Sequence, residues 1–440
     1  MKLFRKLTSI ALALALAAAG LTGCGGGAGP APAGGGSQPA GQTGAAQAEI
    51  EVFTRFADGA GKAYFDEAAA GFMAENPGVK VTVTSADNQN YKQEINVRLA
   101  SNETPDIYFA WSGVYAENFA DGGRALDLTP YLEADKAWAD SVIASQWGPF
   151  TYGGKVYGVP IIMDGKTFYY NKEIFAELGL EAPQNWTEFM SVLDTLAASK
   201  YIPISLGNSE DWATGHYMTT LNQRVVPAGV LAADYALTSD NSFADPAYVT
   251  ALEYLQQLVP YFTPGCNAVG YDEGINDFTS GRAAIYYEQF NQVQYIEPAE
   301  FEWSWFDFPD IEGAAGDQNA LTGAPQGFMV AANTQYPDEC VAFLKYLTRV
   351  DVAGRMVKDT MMFSTVDGAI NADTASDTFI RIAETIKEAS SINLWLDNAT
   401  DSEVVTTYLS GIQAMVGGDR SAAQVMAEVQ QKAAPVKADQ

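Results

Sequence analysis

The stretch Tyr152–Phe189, "YGGKVYGVPIIMDGKTFYYNKEIFAELGLEAPQNWTEF", is where one strand–helix series ends and another begins. "VYGVPIIMDGKTFYYN" carries two apolar runs separated by Asp164 and Gly165. Further on, Asn185 precedes Trp186 with Glu188 at the third helical position, the arrangement of a capped helix start. The fold depends on whether the chain before this stretch and the chain after it follow one plan.

Upstream, "EIEVF" (Glu49–Phe53) turns Ile50 and Val52 inward, and "VKVTVTS" does the same with Val79, Val81 and Val83, so both read as strands. Between them Phe65, Ala69, Phe72 and Met73 recur at helical spacing, and "NPG" at Asn76–Gly78 ends that helix. A second helix carries Tyr91, Ile95 and Leu99 on one face and leads into the apolar strand of "PDIYFAW". Strand, helix, strand, helix, strand predicts a parallel sheet with crossover helices. Downstream the plan repeats. "YIPISL" is a strand, and Asp245–Pro246 start a helix with the stripe Val249, Leu252, Leu255 and Val259. "FTSGRAAIYYEQ" ends a helix at Gly281 and enters a strand, "FEWSWFDFP" and "GFMVAANT" are strand-like, and helices follow from Pro337. About 390 residues after Ala48, at roughly 100–200 per domain, therefore read as two similarly built α/β halves.

In front of Glu49 the chain has another character. Lys2, Arg5 and Lys6 precede a Leu/Ala run over Leu7–Gly20, shorter than the ~20 residues of a membrane span, and "LTGC" follows. This layout resembles the secretory signal and lipobox of bacterial lipoproteins. It implies removal of residues 1–23 and lipidation of Cys24. Residues 24–48, drawn almost wholly from Gly, Ala, Pro, Ser, Gln and Thr, cannot bury enough apolar surface to fold and read as a tether reaching about 25–30 Å.

Composition narrows the chemistry. The net charge of −29 argues against nucleic acid or anionic lipid as a partner. His216 is the single histidine, which leaves almost no material for a His-based zinc site or a catalytic triad, and neither a metal nor a cofactor is expected. Cys266 and Cys340 have no zinc-type spacing; in an exported chain a disulfide between them is chemically permitted, and two buried free thiols are the plainer reading.

In chain order, "TPDIYFAW", "YGGKVYGVPIIMDGKTFYYNKEIFAELGLEAPQNWTEF", "FTSGRAAI" and "GFMVAANTQYPDECVAFLKYLT" resemble blocks of the family-1 extracellular solute-binding proteins of ATP-driven importers, over essentially the whole mature chain. The resemblance implies a two-lobed periplasmic-binding-protein-like α/β fold of type II. Each lobe would hold a mainly parallel sheet flanked by helices, and crossover hinge strands would join the lobes near Val159–Asp164, Gly323–Gly327 and Thr360–Thr365. Lobe 1 would comprise residues 49–160 with 326–359, and lobe 2 residues 161–325 with 360–440. The implied function is capture of a sugar or oligosaccharide between the lobes and delivery to the permease subunits of an ABC transporter. The implied protein is a monomer, held through its lipid on the extracytoplasmic face of the cell membrane.

Sugars present an apolar ring face fringed by hydroxyls, which flat aromatic rings and polar side chains suit. In open α/β sheets ligands lie beyond the carboxyl ends of strands. That places Arg55 and Phe56 of "FTRF", Trp111 and Ser112 of "WSG", Asp164 of "MDG" and Glu288 of "YEQF" at the cleft. By the family's block order Gln326, Glu210 and Trp212 of "NSEDWATGHYM", and Trp395 and Asp397 of "INLWLD" join them. Trp212 is expected in a polar loop with Glu210, Asp211 and Thr214 outside the core. Aromatic rings with carboxylates also suit a cationic ligand such as a polyamine or quaternary amine, the second reading of the cleft. A tethered glycoside hydrolase is the third, and against it stands the absence of any nucleophile-elbow, metal-ligand or phosphate-loop motif, so no catalytic residue is assigned.

Overall fold

The computed structural model describes residues 48–101, 103–389 and 392–436. The leader, Cys24 and the tether up to residue 47 lie outside the described residues. Among the described residues no helix is long and apolar enough to cross a membrane.

Thirteen strands are described: β1 (Ala48–Thr54), β2 (Val79–Ser85), β3 (Ile107–Trp111), β4 (Thr151–Tyr152), β5 (Lys155–Val156), β6 (Gly158–Ile162), β7 (Lys166–Asn171), β8 (Ile202–Ser205), β9 (Ala283–Gln289), β10 (Trp303–Phe306), β11 (Leu321–Thr322), β12 (Gln326–Val330) and β13 (Ile392–Asn393). They form two main sheets, ordered β2-β1-β3-β12-β6 and β10-β7-β9-β8, with the short pairs β11-β13 and β4-β5 beside them. The parallel pairings expected from strand–helix alternation occur at β1–β2, β1–β3 and β8–β9. The remaining pairs in both main sheets are antiparallel, β12 against β3 and β6, and β7 against β9 and β10. The reason is topological, because β12 and β7 enter their sheets from the other half of the molecule, without the helical return that makes two strands parallel.

Local chemistry explains the boundaries around the opening stretch. The Asn171 carboxamide accepts from the backbone N–H groups of Glu173 and Ile174 at 2.9 and 3.1 Å and starts the helix Lys172–Leu178. Asn185 Oδ1 accepts from Glu188 N at 2.9 Å, and Glu188 reaches back to Gln184 N at 2.9 Å, starting Trp186–Ala197. Helix Ala247–Leu258 buries Tyr248, Ala251, Leu252, Leu255 and Leu258, so Val249 and Val259 of the expected stripe are only half-buried.

Each main sheet has its own core. In the first, Phe109 and Phe65 pack against Phe328, edge to face at 5.9 and 5.4 Å. In the second, Phe168 is surrounded by Phe189, Tyr217, Tyr287, Phe306 and Phe308 at 4.5 to 6.1 Å, and its burial contributes about 1.5–3 kcal/mol. Cys266 and Cys340 are buried free thiols.

Three segments run between the sheets side by side. Met163–Gly165 links β6 to β7, Gly323–Pro325 links β11 to β12, and Thr360–Thr365 returns beside β6. Met163 N donates to Phe363 O at 2.8 Å and Thr365 N to Ile161 O at 3.1 Å. A Cβ on Gly323 would lie 2.3 Å from Asp164 O, so only glycine lets the first two segments approach this closely.

Candidate functional site

The residues nominated from sequence fall on both sides of these crossings. Arg55 follows β1, Trp111 ends β3 and Glu288 lies one residue before the end of β9, all at carboxyl ends, while Gln326 and Lys166 open the antiparallel strands β12 and β7 that start there.

On the first side the half-buried Arg55 guanidinium lies over Phe56, Phe109 and Trp111 at 4.5, 5.1 and 5.9 Å. Burial lowers its pKa to about 10, with Asp164 working the other way. Arg55 Nη2 donates to Gln326 Oε1 at 2.8 Å, and Gln326 Nε2 donates to Asp164 Oδ2 at 3.3 Å. Asp164 Oδ1 accepts from Gly165 N at 2.9 Å and Asn291 N at 3.3 Å. Burial nevertheless pushes the Asp164 carboxyl up to about 7, against these hydrogen bonds. Trp111 stands edge-on to Tyr91, Phe109 and Tyr115, with the Lys92 ammonium 4.8 Å over its ring. Ser112 Oγ and Arg55 Nε are buried with no hydrogen-bond partner among the described residues. Phe56 faces the first core, stacked 5.2 Å from Phe65, and supports Arg55 from below.

The second side is a chain of charge, buried at Glu288, Lys166 and His216 and partly exposed at Asp397. Glu288 is buried; its Oε1 lies 3.5 Å from Lys166 Nζ, and its Oε2 accepts from Tyr286 OH at 3.1 Å. Lys166 Nζ lies 3.0 Å from His216 Nδ1 and 5.0 Å over the Tyr287 ring. His216 Nε2 faces Asp397 Oδ1 at 3.7 Å, and Asp397 Oδ2 lies 3.9 Å from Lys92 on the opposite side. Desolvation lowers the Lys166 and His216 pKa values. Burial also opposes charge on Asp397, but His216 and Lys92 hold its carboxyl below the usual range.

Two indoles flank the histidine, Trp395 at 4.5 Å and Trp212 at 5.1 Å, and Tyr271 lies 4.9 Å beyond Trp212. The expected polar loop around Trp212 is in fact the start of helix Trp212–Val225, and Thr214 is buried with its hydroxyl donating to Asn208 Oδ1 at 2.9 Å. A short side chain that satisfies its own hydroxyl locally can enter a helix and a core despite its polarity. Glu210 accepts from Ser209 Oγ at 2.6 Å and Tyr271 N at 3.2 Å.

Sequence reading missed Lys92, Lys166, His216, Tyr271 and Asn291. Once Trp212 is placed in a helix, His216 at the fourth following position shares its face. Lys166, two residues after Asp164, carried no such signal.

The two sides meet at Gly113. Its φ is +78°, and an added Cβ would lie 2.5 Å from Leu394 Cδ1 and 2.6 Å from Asn398 O. A cavity of 670 Å³ lies beside the belt just described, in the second half, lined by Arg224, Asp307, Gln318 and others, and shares Lys166 and Tyr287 with it. The belt is the better candidate site, because its residues converge from both halves.

Residues 57–353 match the family model of the bacterial extracellular solute-binding protein. The chain belongs to that family. Within it, the multiple sugar-binding protein of Streptococcus mutans is 24% identical over 286 residues, 63% of this chain and 66% of its own length. The mannitol-binding protein of Pseudomonas aeruginosa is 22% identical over 333 residues, 69% and 74% of the two chains. The match thus spans about two thirds of the first relative's length. Among solved structures, a chitin oligosaccharide binding protein superposes with a TM-score of 0.80 at 22% identity, covering 89% of this chain and 99% of its own. RafE in complex with raffinose gives 0.73 at 21%, covering 88% and 99%. These likenesses establish the two-lobed fold.

Proposed function

We propose that this solute-binding protein captures a sugar or oligosaccharide between its lobes and hands it to the permease of an ABC importer. One observation carries the reading: three indoles and a set of hydrogen-bonding side chains converge from both halves, and the charges among them are already compensated within the protein. Lys166 faces Glu288, Lys92 faces Asp397, and Arg55 reaches Asp164 through Gln326. A cationic ligand would have to compete with these internal partners, whereas a neutral polyol needs only donors and acceptors. Arg55 Nε and Ser112 Oγ, buried without partners, are groups that ligand hydroxyls would satisfy. The names of the relatives support the sugar class.

In this reading lobe 1 holds residues 49–160 with 326–359 and lobe 2 residues 161–325 with 360–440, the three crossings act as the hinge, and the chain works as a monomer. Lipid on Cys24 anchors it outside the cytoplasm, a position in keeping with a Streptomyces antibioticus relative named as a lipoprotein. No bond is broken, so an oligosaccharide should be recovered intact after incubation. The test is a thermal-shift screen of mono- and oligosaccharides, raffinose, maltotriose and chitin oligosaccharides included. A ligand at a hundred times its Kd adds about 2.7 kcal/mol to stability. Stabilisation by a sugar that persists at high salt supports the proposal. Stabilisation by polyamines alone, lost on adding salt, would replace it with the cationic reading.

A further inference from the structure

We infer that His216 is a positioning residue that sets the two-indole platform of the ligand cleft only while its imidazole is neutral, so that ligand affinity falls as the medium becomes acidic. The inference rests on the cleft proposed above and adds to it a residue and a condition.

The geometry is specific about the proton. Lys166 Nζ, 3.0 Å away, is donor-only as an ammonium, so His216 Nδ1 must be the acceptor, and the single imidazole proton sits on Nε2, facing Asp397. Between these two contacts the ring is fixed in plane, with Trp395 tilted 30° against it at 4.5 Å and Trp212 at 5.1 Å. The imidazole is therefore both a bridge between Lys166 and Asp397 and the filler that spaces the indoles.

A second proton has no place on this ring. It would arrive on Nδ1, where Lys166 already points a hydrogen, and two cationic donors would then face each other at 3.0 Å. The charged groups that act on the ring are Lys166 on β7, Glu288 on β9 and Asp397 after β13; Lys92 and Asp211 act on Asp397 in turn, and Asp164 on Lys166. Glu288 and Asp397 favour protonation, but Glu288 is occupied by Lys166, and Asp397 is shared between His216 and Lys92. Burial, foremost, and Lys166 hold the imidazole below its ordinary value of 6.5. Protonation then breaks the Lys166 contact, turns the ring and unseats Trp395 and Trp212. The effect is absent well above pH 6.5 and grows as the pH falls through the lowered value, because the loosened platform takes up a proton that the gripping one excludes.

The sequence makes the test clean, since the untagged chain has one histidine. Ring-¹³C histidine labelling gives one titrating signal in the ligand-free protein, and indole fluorescence over the same pH range reports the platform. The expected result is a midpoint below 6.5 with a fluorescence change that follows it. Affinity for a sugar found by the screen should fall about tenfold for each unit by which closure lowers the imidazole value. His216→Gln offers a neutral acceptor to Lys166 and a donor to Asp397. It should bind a few-fold more weakly at pH 8 and flatten the profile between pH 8 and pH 5, whereas His216→Phe should bind poorly at every pH. A midpoint at or above 6.5, fluorescence that ignores it, or a profile identical in wild type and His216→Gln overturns the inference. Absence of sugar binding by wild type at pH 8 would instead overturn the cleft reading, and the ligand-free titration would still decide the role of His216.

Discussion

The two sides of the cleft are built from similar side chains by opposite means. The first is aromatic and cationic: Trp111 lies below Lys92 and beside Arg55, on a core of Phe56, Phe65 and Phe109. The second is ionic, running from the buried Glu288, Lys166 and His216 to the partly exposed Asp397, with the indoles added at its edge. A cation over a ring tolerates displacement, but a buried ion pair that loses one member leaves a charge with no water to replace it. The second side should therefore be the rigid one and the first the adaptable one.

Lys166→Met gives the harshest comparison, because it strands Glu288 in the second side. It should cost about 3–5 kcal/mol of stability, read from urea unfolding, and pairing it with Glu288→Leu should recover most of that. If the single variant is as stable as wild type, the two sides do not differ as described. Trp212→Ala comes next. It should weaken sugar binding by about 1–3 kcal/mol in calorimetric titration with little change in Tm, since the ring is half-buried at the start of its helix. A collapse in Tm would mean that Trp212 is core.

Gly113→Ala probes the place where the sides touch. A Cβ at φ +78° strains the backbone by about 1 kcal/mol or more and meets Leu394, so ligand-bound particles should scatter as more extended than wild type. Equal compaction at saturation would show that closure does not pass through this contact. The smallest effect belongs to Lys92→Ala, which removes a partly exposed pair with Asp397. A loss of about 0.2–1 kcal/mol in affinity, shrinking with added salt, is expected. A salt-insensitive loss would point to the Trp111 contact instead.

This contrast also governs what could be read in advance. Arg55 follows β1 and Trp111 ends β3, in the part of the chain where strand and helix succeed each other regularly, so the rule for strand ends located them. The second side is assembled from β7, β9, the helix at Trp212 and the segment after β13, four pieces far apart in sequence, and only contact reveals that Lys166 and His216 meet. The antiparallel pairings were hidden for a related reason, as strand direction depends on which half a strand returns from. Thr214 misled because polarity was taken for exposure.

The order β2-β1-β3-β12-β6 has a consequence for how the protein is made. When residue 162 leaves the ribosome, β3 and β6 have both been synthesised, yet the strand that belongs between them ends at Val330. The first sheet stays split, with two unpaired inner edges, until residue 330 of the 440 has been translated. Pairing that waits on so distant a segment is slow, and unpaired edges are open to wrong partners. A chain built this way keeps its first sheet open during synthesis until β12 arrives.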